Sequence, residues 1–207
     1  NILIGRFHGS GPLGYYSKAY QLLMMPITNL RDPLTRVAMP ALSMLQNEPE
    51  NYRNYYKKLV SILAFVTMPL VTFLFVCSDQ IVGVVLGSQW MEASQLFKIL
   101  ALVALIQPVV STQGLVMLTT GRSRRYLVLG ILGAAVTSLA FAVGVFWGAK
   151  GVATAYVVAT YVKFLPLLYA AFKDTPVRVS DFLCASCKPF FSSLVMGVIC
   201  VIVVFIL

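Results

Sequence analysis

An all-α, polytopic membrane helix bundle is the fold this chain predicts, and three observations lead to it. Of its 207 residues, 59% are hydrophobic and 11% charged, with a mean hydropathy of +0.84. A soluble domain carries about a quarter charged residues and has no place to hide that much apolar surface. Apolar runs of spanning length recur along the chain, separated by short polar turns. The basic residues also alternate between the two sides that these runs define.

About six transmembrane helices are expected, at 19–43, 59–77, 99–120, 126–147, 151–172 and 190–207, all in one transmembrane domain. Asn1 to Ile4 read as the tail of a preceding span. The chain starts without Met and closes in an apolar run, so it reads as part of a larger protein.

The first segment, Ser17 to Gln46, is the unusual one. It is apolar enough for a membrane but carries Arg31, Asp32 and Arg36, and its Pro26, Pro33 and Pro40 are spaced seven apart. On a helix, Ser17, Gln21, Thr28, Asp32, Thr35 and Arg36 share one broad stripe. Asp32 and Arg36, four apart with the acid first, are placed for an intrahelical pair. Prolines bend such a helix and remove backbone donors, which a cavity or a neighbour must replace. Two placements stay open: the stripe lines a polar cavity, or its charges anchor at the membrane surface. Arg31 lies roughly 18 Å along the helix from Ala19 at 1.5 Å per residue.

Upstream, Gly9, Gly11 and Gly14 match G-x-G-x-x-G, but no strand precedes them and Pro12 interrupts, so a tight turn is expected and not a dinucleotide site. His8 is the only histidine, and Arg6 sits beside a span end. Downstream, Asn47 and Pro49 mark a helix start. Tyr52, Tyr55 and Tyr56 with Lys57 and Lys58 read as interfacial anchors. Residues 78–98 read as an interfacial stretch with Trp90 at headgroup level. Gln107-Pro108 marks a kink. Ala140, Gly144 and Gly148 form a small-residue ladder.

In the fifth span, Gly151, Ala155, Ala159 and Lys163 share a face. Lys163 therefore points at a packed helix or cavity, or else snorkels to the surface. Lys188-Pro189 precede the sixth span.

Eleven basic residues fall on one side: Arg31, Arg36, Arg53, Lys57, Lys58, Arg122, Arg124, Arg125, Lys173, Arg178 and Lys188. Arg6, Lys18, Lys98 and Lys150 fall on the other. The bias makes the first side cytoplasmic. It also makes anionic lipid headgroups the surface partners of the net charge of +9, in place of nucleic acid.

The four cysteines include one C-x-x-C, Cys184 and Cys187, without a second pair or a partner His, so no metal and no cofactor is expected. The seven acids are scattered, which disfavours an enzyme of sugar chemistry. Kinked helices around intramembrane cations suit a transporter of an anionic substrate.

Several ordered motifs carry a family resemblance. They are I-G-R-F-x-G-x-x-x-L-G-Y-Y-S-x-A-Y (Ile4 to Tyr20), M-P-A-L-S-x-L-Q (Met39 to Gln46), L-G-x-x-W (Leu86 to Trp90) and the stretch Phe97 to Leu102. Gln107-Pro108, Gly121-Arg122 and W-G-A-x-G-V-A-x-A-Y (Trp147 to Tyr156) complete the set. In order and spacing this set resembles the polysaccharide-exporter branch of the multidrug/oligosaccharidyl-lipid/polysaccharide (MOP) flippase superfamily, in particular its colanic-acid-type lipopolysaccharide flippases. The likeness weakens after Lys173.

The resemblance implies a two-lobed bundle in the bacterial inner membrane, with this chain as the C-terminal lobe and an N-terminal lobe as its partner. Polysaccharide polymerase or assembly proteins are further implied partners. The implied substrate is an oligosaccharide repeat unit on undecaprenyl pyrophosphate, flipped from the cytoplasmic to the periplasmic leaflet. Arg31, Arg36, Arg6 and Lys163, with Asp32 beside them, are the positions that would meet the pyrophosphate. A cation-coupled drug exporter of the same superfamily and a non-transporting scaffold are the alternatives. Asp32 is the acid that the first of these has available.

Overall fold

The computed structural model describes residues 2–206, with side chains from 3 to 203; Asn1 and Leu207, the ends of the expected first and last segments, lie outside them. The described chain is helical from end to end. Its helices are α1 (Ile2–His8), α2 (Ser10–Met44), α3 (Pro49–Val76), α4 (Ser78–Val85), α5 (Met91–Val110), α6 (Gln113–Thr119), α7 (Ser123–Gly144), α8 (Gly148–Phe172) and α9 (Val179–Ile206). Four stretches are long and apolar enough to cross a membrane: Pro49–Val76, Ser88–Thr119, Ser123–Phe172 and Val179–Val203. The third holds both α7 and α8, which fold back on each other. This is a multi-pass membrane protein. The 35-residue α2 is not among the four, because polar side chains dilute its apolar ones.

The helices pack as one lobe. α2 and α3 lie against α5, α8 lies against both α5 and α7, and α9 lies along α3. Two apolar cores fill its opposite ends. One joins Ile4, Tyr16, Leu23, Leu74, Phe97, Leu100 and Val152. The other joins Leu42, Tyr52, Tyr56, Val60, Met117, Leu168 and Phe182. Leu105 packs against both.

Several expectations change. Only Gly9 makes the turn, with φ 83°, while Gly11 and Gly14 lie inside α2. Pro12 belongs to the first turn of that helix, where a missing amide costs little. Residues 78–98 are not one interfacial stretch: Gly87, at φ 95°, separates α4 from α5, and α5 begins at Met91. The 99–120 segment is broken after Val110, where the Ser111 and Thr112 hydroxyls bond the carbonyls of Pro108 and Val109. Glu48, not Asn47, occupies the cap position before Pro49. Pro189 lies inside α9, not ahead of it.

Tyr52 and Tyr56 are buried inside the lobe, so their rings do not face lipid headgroups. The Tyr56 hydroxyl meets Thr112 at 2.8 Å, on the helix break that needs polar partners, and the Tyr52 hydroxyl meets Thr119 at 2.6 Å, at the far end of α6. Such pairing keeps hydroxyls from being orphaned in an apolar core.

Polar ties close each end. At the basic end, Arg53 donates both Nε and Nη2 to Asp181 at 2.6 Å, joining α3 to α9. Arg122 and Arg125, at the start of α7, bond the carbonyl of Lys173 and the carboxylate of Asp174. The hydrogen bond from Arg125 holds the Asp174 carboxyl below the usual carboxylate range, assisted by the charges of Arg125, Arg122 and Lys173 and opposed by slight desolvation. At the other end, Asp79 of α4 takes hydrogen bonds from Lys98, at 2.7 Å, and Ser94, which lower its carboxyl in the same way.

α7 and α8 touch backbone to backbone. A Cβ on Gly144 would lie 2.6 Å from the Gly151 carbonyl oxygen and 2.8 Å from the Ala155 Cβ. Gly148, expected in the same ladder, instead makes the turn with φ 75°.

Gly144→Leu is expected to cost about 1–3 kcal/mol through overpacking and to lower the melting temperature in detergent by several degrees. Gly130→Ala, where a Cβ meets nothing within 4 Å, should leave it unchanged or slightly raised. The Asp174 contribution, with its depressed folded pKa, is present above the ordinary carboxylate pKa and is lost as pH falls through the folded value. Amide exchange in the 173–178 loop, corrected for intrinsic rate, should stay constant from about pH 8 to 5 and rise below about pH 4. In Asp174→Asn it should already be raised at neutral pH.

Candidate functional site

α2 has two unlike faces. Tyr16, Ala19, Leu23, Ile27, Ala38 and Leu42 are buried against the lobe. The opposite face leaves Lys18, Gln21, Asn29, Arg36 and Ser43 exposed, among Met25, Pro33 and Pro40. α7 is different: from Leu127 to Val143 its exposed large side chains are apolar, among them Leu127, Ile131, Leu132, Leu139 and Val143, a surface that lipid covers at no cost. An arginine at the centre of a lipid-facing helix costs about 2.5–3.5 kcal/mol on insertion scales. The open face of α2 therefore belongs against protein or water, not lipid.

The prolines reinforce this polarity. A proline removes the amide that would bond the carbonyl four residues earlier. Pro26, Pro33 and Pro40 leave the carbonyls of Leu22, Asn29 and Arg36 without that bond. These three are also seven apart, so they recur on one side, two of them on exposed residues.

The charges on α2 pair otherwise than their spacing predicts. Asp32 takes hydrogen bonds from Nε and Nη2 of Arg31, at 2.9 and 2.7 Å, and not from Arg36. Arg36 is exposed and forms no ion pair among the described residues. Thr28 and Thr35 of the expected stripe spend their hydroxyls on carbonyls of their own helix. Arg6 is exposed on α1, which packs against α2 and α8.

Lys163 lies elsewhere. It borders a cavity of about 300 Å³ formed by α5, α6, α7 and α8, which no α2 residue lines. Its Nζ donates to Thr137 Oγ1 at 2.6 Å. Gln107, Gln113, Thr160, Tyr126 and Tyr156 line the same space. The structure thus does not gather Lys163 with Arg31 and Arg36 in one cavity. A smaller cavity of about 240 Å³ begins at Thr137 and Tyr156 and is completed by Tyr16, Tyr20 and Phe141. Gln107 stood out in the sequence beside its proline. Gln113 and Thr160 did not, because the break after Val110 is what turns Gln113 toward α8, where Thr160 lies.

The model of a family described as polysaccharide biosynthesis proteins matches residues 1–95. The teichuronic acid biosynthesis protein TuaB of Bacillus subtilis (strain 168) is 30% identical over 200 residues, which is 96% of this chain and 41% of that protein. The lipopolysaccharide biosynthesis protein WzxC of Escherichia coli (strain K12) is 28% identical over 121 residues, covering 58% of this chain and 25% of WzxC. Among solved structures, the inward closed conformation of the lipid II flippase MurJ superposes with a TM-score of 0.72 at 16% identity, over 97% of this chain and 48% of MurJ. The chain thus spans less than half the length of these relatives. The family model over the first 95 residues and TuaB along nearly the whole chain make this chain similar to polysaccharide biosynthesis proteins, and its fold is similar to that of half of MurJ.

Proposed function

We propose that this chain is the C-terminal lobe of a flippase in the bacterial inner membrane. The flippase moves undecaprenyl-pyrophosphate-linked oligosaccharide repeat units from the cytoplasmic to the periplasmic leaflet, for surface polysaccharide. The observation that carries the reading is the open polar face of α2, with Arg36 exposed on it, eight residues before the helix end and without an ion pair among the described residues. An N-terminal lobe set against this face would enclose a polar cavity between the two halves. A guanidinium there matches the fork geometry of phosphate oxygens. The names of TuaB, WzxC and MurJ support the substrate class.

Arg36 is the principal contact for the pyrophosphate. Arg31 is held by Asp32, which orients it and offsets its charge. Arg6 and Lys18 stand toward the other membrane side, as later contacts along the path. Transport without bond chemistry suits the acids: Asp32, Asp79, Asp174 and Asp181 are engaged in ion pairs. Polymerase and assembly proteins would receive the flipped unit, and anionic lipids would meet the basic end.

In a strain deleted for the whole protein, wild type should restore surface polysaccharide. Arg36→Ala should leave lipid-linked repeat units trapped in the cytoplasmic leaflet. Losing a charged hydrogen bond costs about 1.5–3 kcal/mol, so export should fall by roughly ten- to a hundredfold. Arg36→Lys should retain an intermediate level. Arg31→Ala, which leaves Asp32 as an uncompensated negative charge, should be partly rescued by adding Asp32→Ala. Normal polysaccharide from Arg36→Ala at normal expression would refute the assignment.

A further inference from the structure

We propose that the cavity around Lys163 is a binding site for a small free anion, of halide or formate size, separate from the substrate face on α2. It goes beyond the flippase reading and does not use the pyrophosphate contacts.

Three observations lead there. The first is an unbalanced charge. Lys163 sits twelve residues along α8 from Gly151, about 18 Å at 1.5 Å per residue, and so deep within the bilayer. Its recorded partner is the Thr137 hydroxyl, and among the described residues no carboxylate lines the cavity. A desolvated ammonium without a counter-charge is costly, and intramembrane charges are normally paired.

The second is a set of orphaned polar atoms. Oε1 of Gln107, Oε1 of Gln113 and Oγ1 of Thr160 are buried without a hydrogen-bond partner, and all three residues line this cavity. Thr160 is itself 9% exposed. Each buried polar group left without a partner in a native fold needs an explanation, a bound water or ion being one. The amides, turned about their last bond, and the threonine hydroxyl can each donate toward the space, as can the hydroxyls of Tyr126 and Tyr156. A wall with an ammonium, several neutral donors and no acid selects an anion over a cation.

The third is access. Gln113, Met117 and Tyr126 at one end of the cavity lie close to the basic membrane side, while Lys163 lies at mid-depth. Tyr126, which lines the cavity, follows Arg125 directly in the chain, so this end of the space lies near the basic turn 122–125. The volume of about 300 Å³ accommodates an anion together with several waters. α2 contributes nothing to the lining, which separates this anion from a substrate carried on the α2 face.

The experiment is radiolabelled chloride binding to the purified whole protein in detergent. Wild type and Arg36→Ala should both bind saturably. Lys163→Met should lose binding by at least tenfold while keeping a monodisperse elution profile, and Lys163→Arg should restore part of it. Bromide and formate should displace chloride at similar concentrations. Undiminished binding in Lys163→Met, or no saturable binding in wild type, would overturn the site. Displacement by pyrophosphate at lower concentration than by bromide would also overturn it, by placing Lys163 on the substrate head group. The Arg36 export assay is independent, so a flippase that fails the chloride test and a chloride-binding protein that fails the export test are told apart.

Discussion

Every backbone carbonyl inside a bilayer must find a donor, and α2 is built so that three of its own cannot find theirs within the helix. Pro26, Pro33 and Pro40 recur with the helical repeat, so the deficit falls on one side and not all round. A helix of this kind cannot stand in lipid. Its apolar side is therefore committed to α3 and α5, and its polar side to whatever aqueous or protein surface completes the molecule. The rest of the lobe follows from that commitment. α7 and α9 turn aliphatic surfaces to the lipid, and most of the polar groups that remain inside are paired or gathered around a cavity.

The interior pairings are short-range and specific. The break between α5 and α6 would be expensive if its hydroxyls and carbonyls met only hydrocarbon. Tyr56 reaches it from α3, and the Ser111 and Thr112 hydroxyls turn back on the helix. Isolated surface ion pairs contribute little, but Arg53–Asp181 is bidentate and its carboxylate is also held by the Arg178 amide. That tie fixes the order in which α9 meets α3.

Much of this was legible in the chain. Composition and apolar runs gave a helical membrane bundle, and the motif order gave its likeness to polysaccharide biosynthesis proteins. The prolines and charges of α2 gave the helix that differs from the others. What the chain could not disclose was pairing. Asp32 has Arg31 and Arg36 within reach, and spacing favours Arg36, yet the long Arg31 side chain wraps along the helix to take it. Tyr52 and Tyr56 sit beside Lys57 and Lys58 in sequence, which imitates an interfacial belt. Only the tertiary path of α6 shows that they face inward. The Lys163 cavity depends on Gln113 and Thr160, which are ordinary residues until a helix break brings them to one wall.

The meeting of Gly144 and Gly151 does more than bring two helices close. Backbone against backbone leaves no room for even one methyl group at this crossing, so the hairpin closes at the offset where the two glycines meet. A slip by one turn would carry Lys163 about 5.4 Å from Thr137. Two hydrogen atoms in place of two methyl groups, near one surface of the membrane, thus act as a ruler that sets where an ammonium stands at its centre.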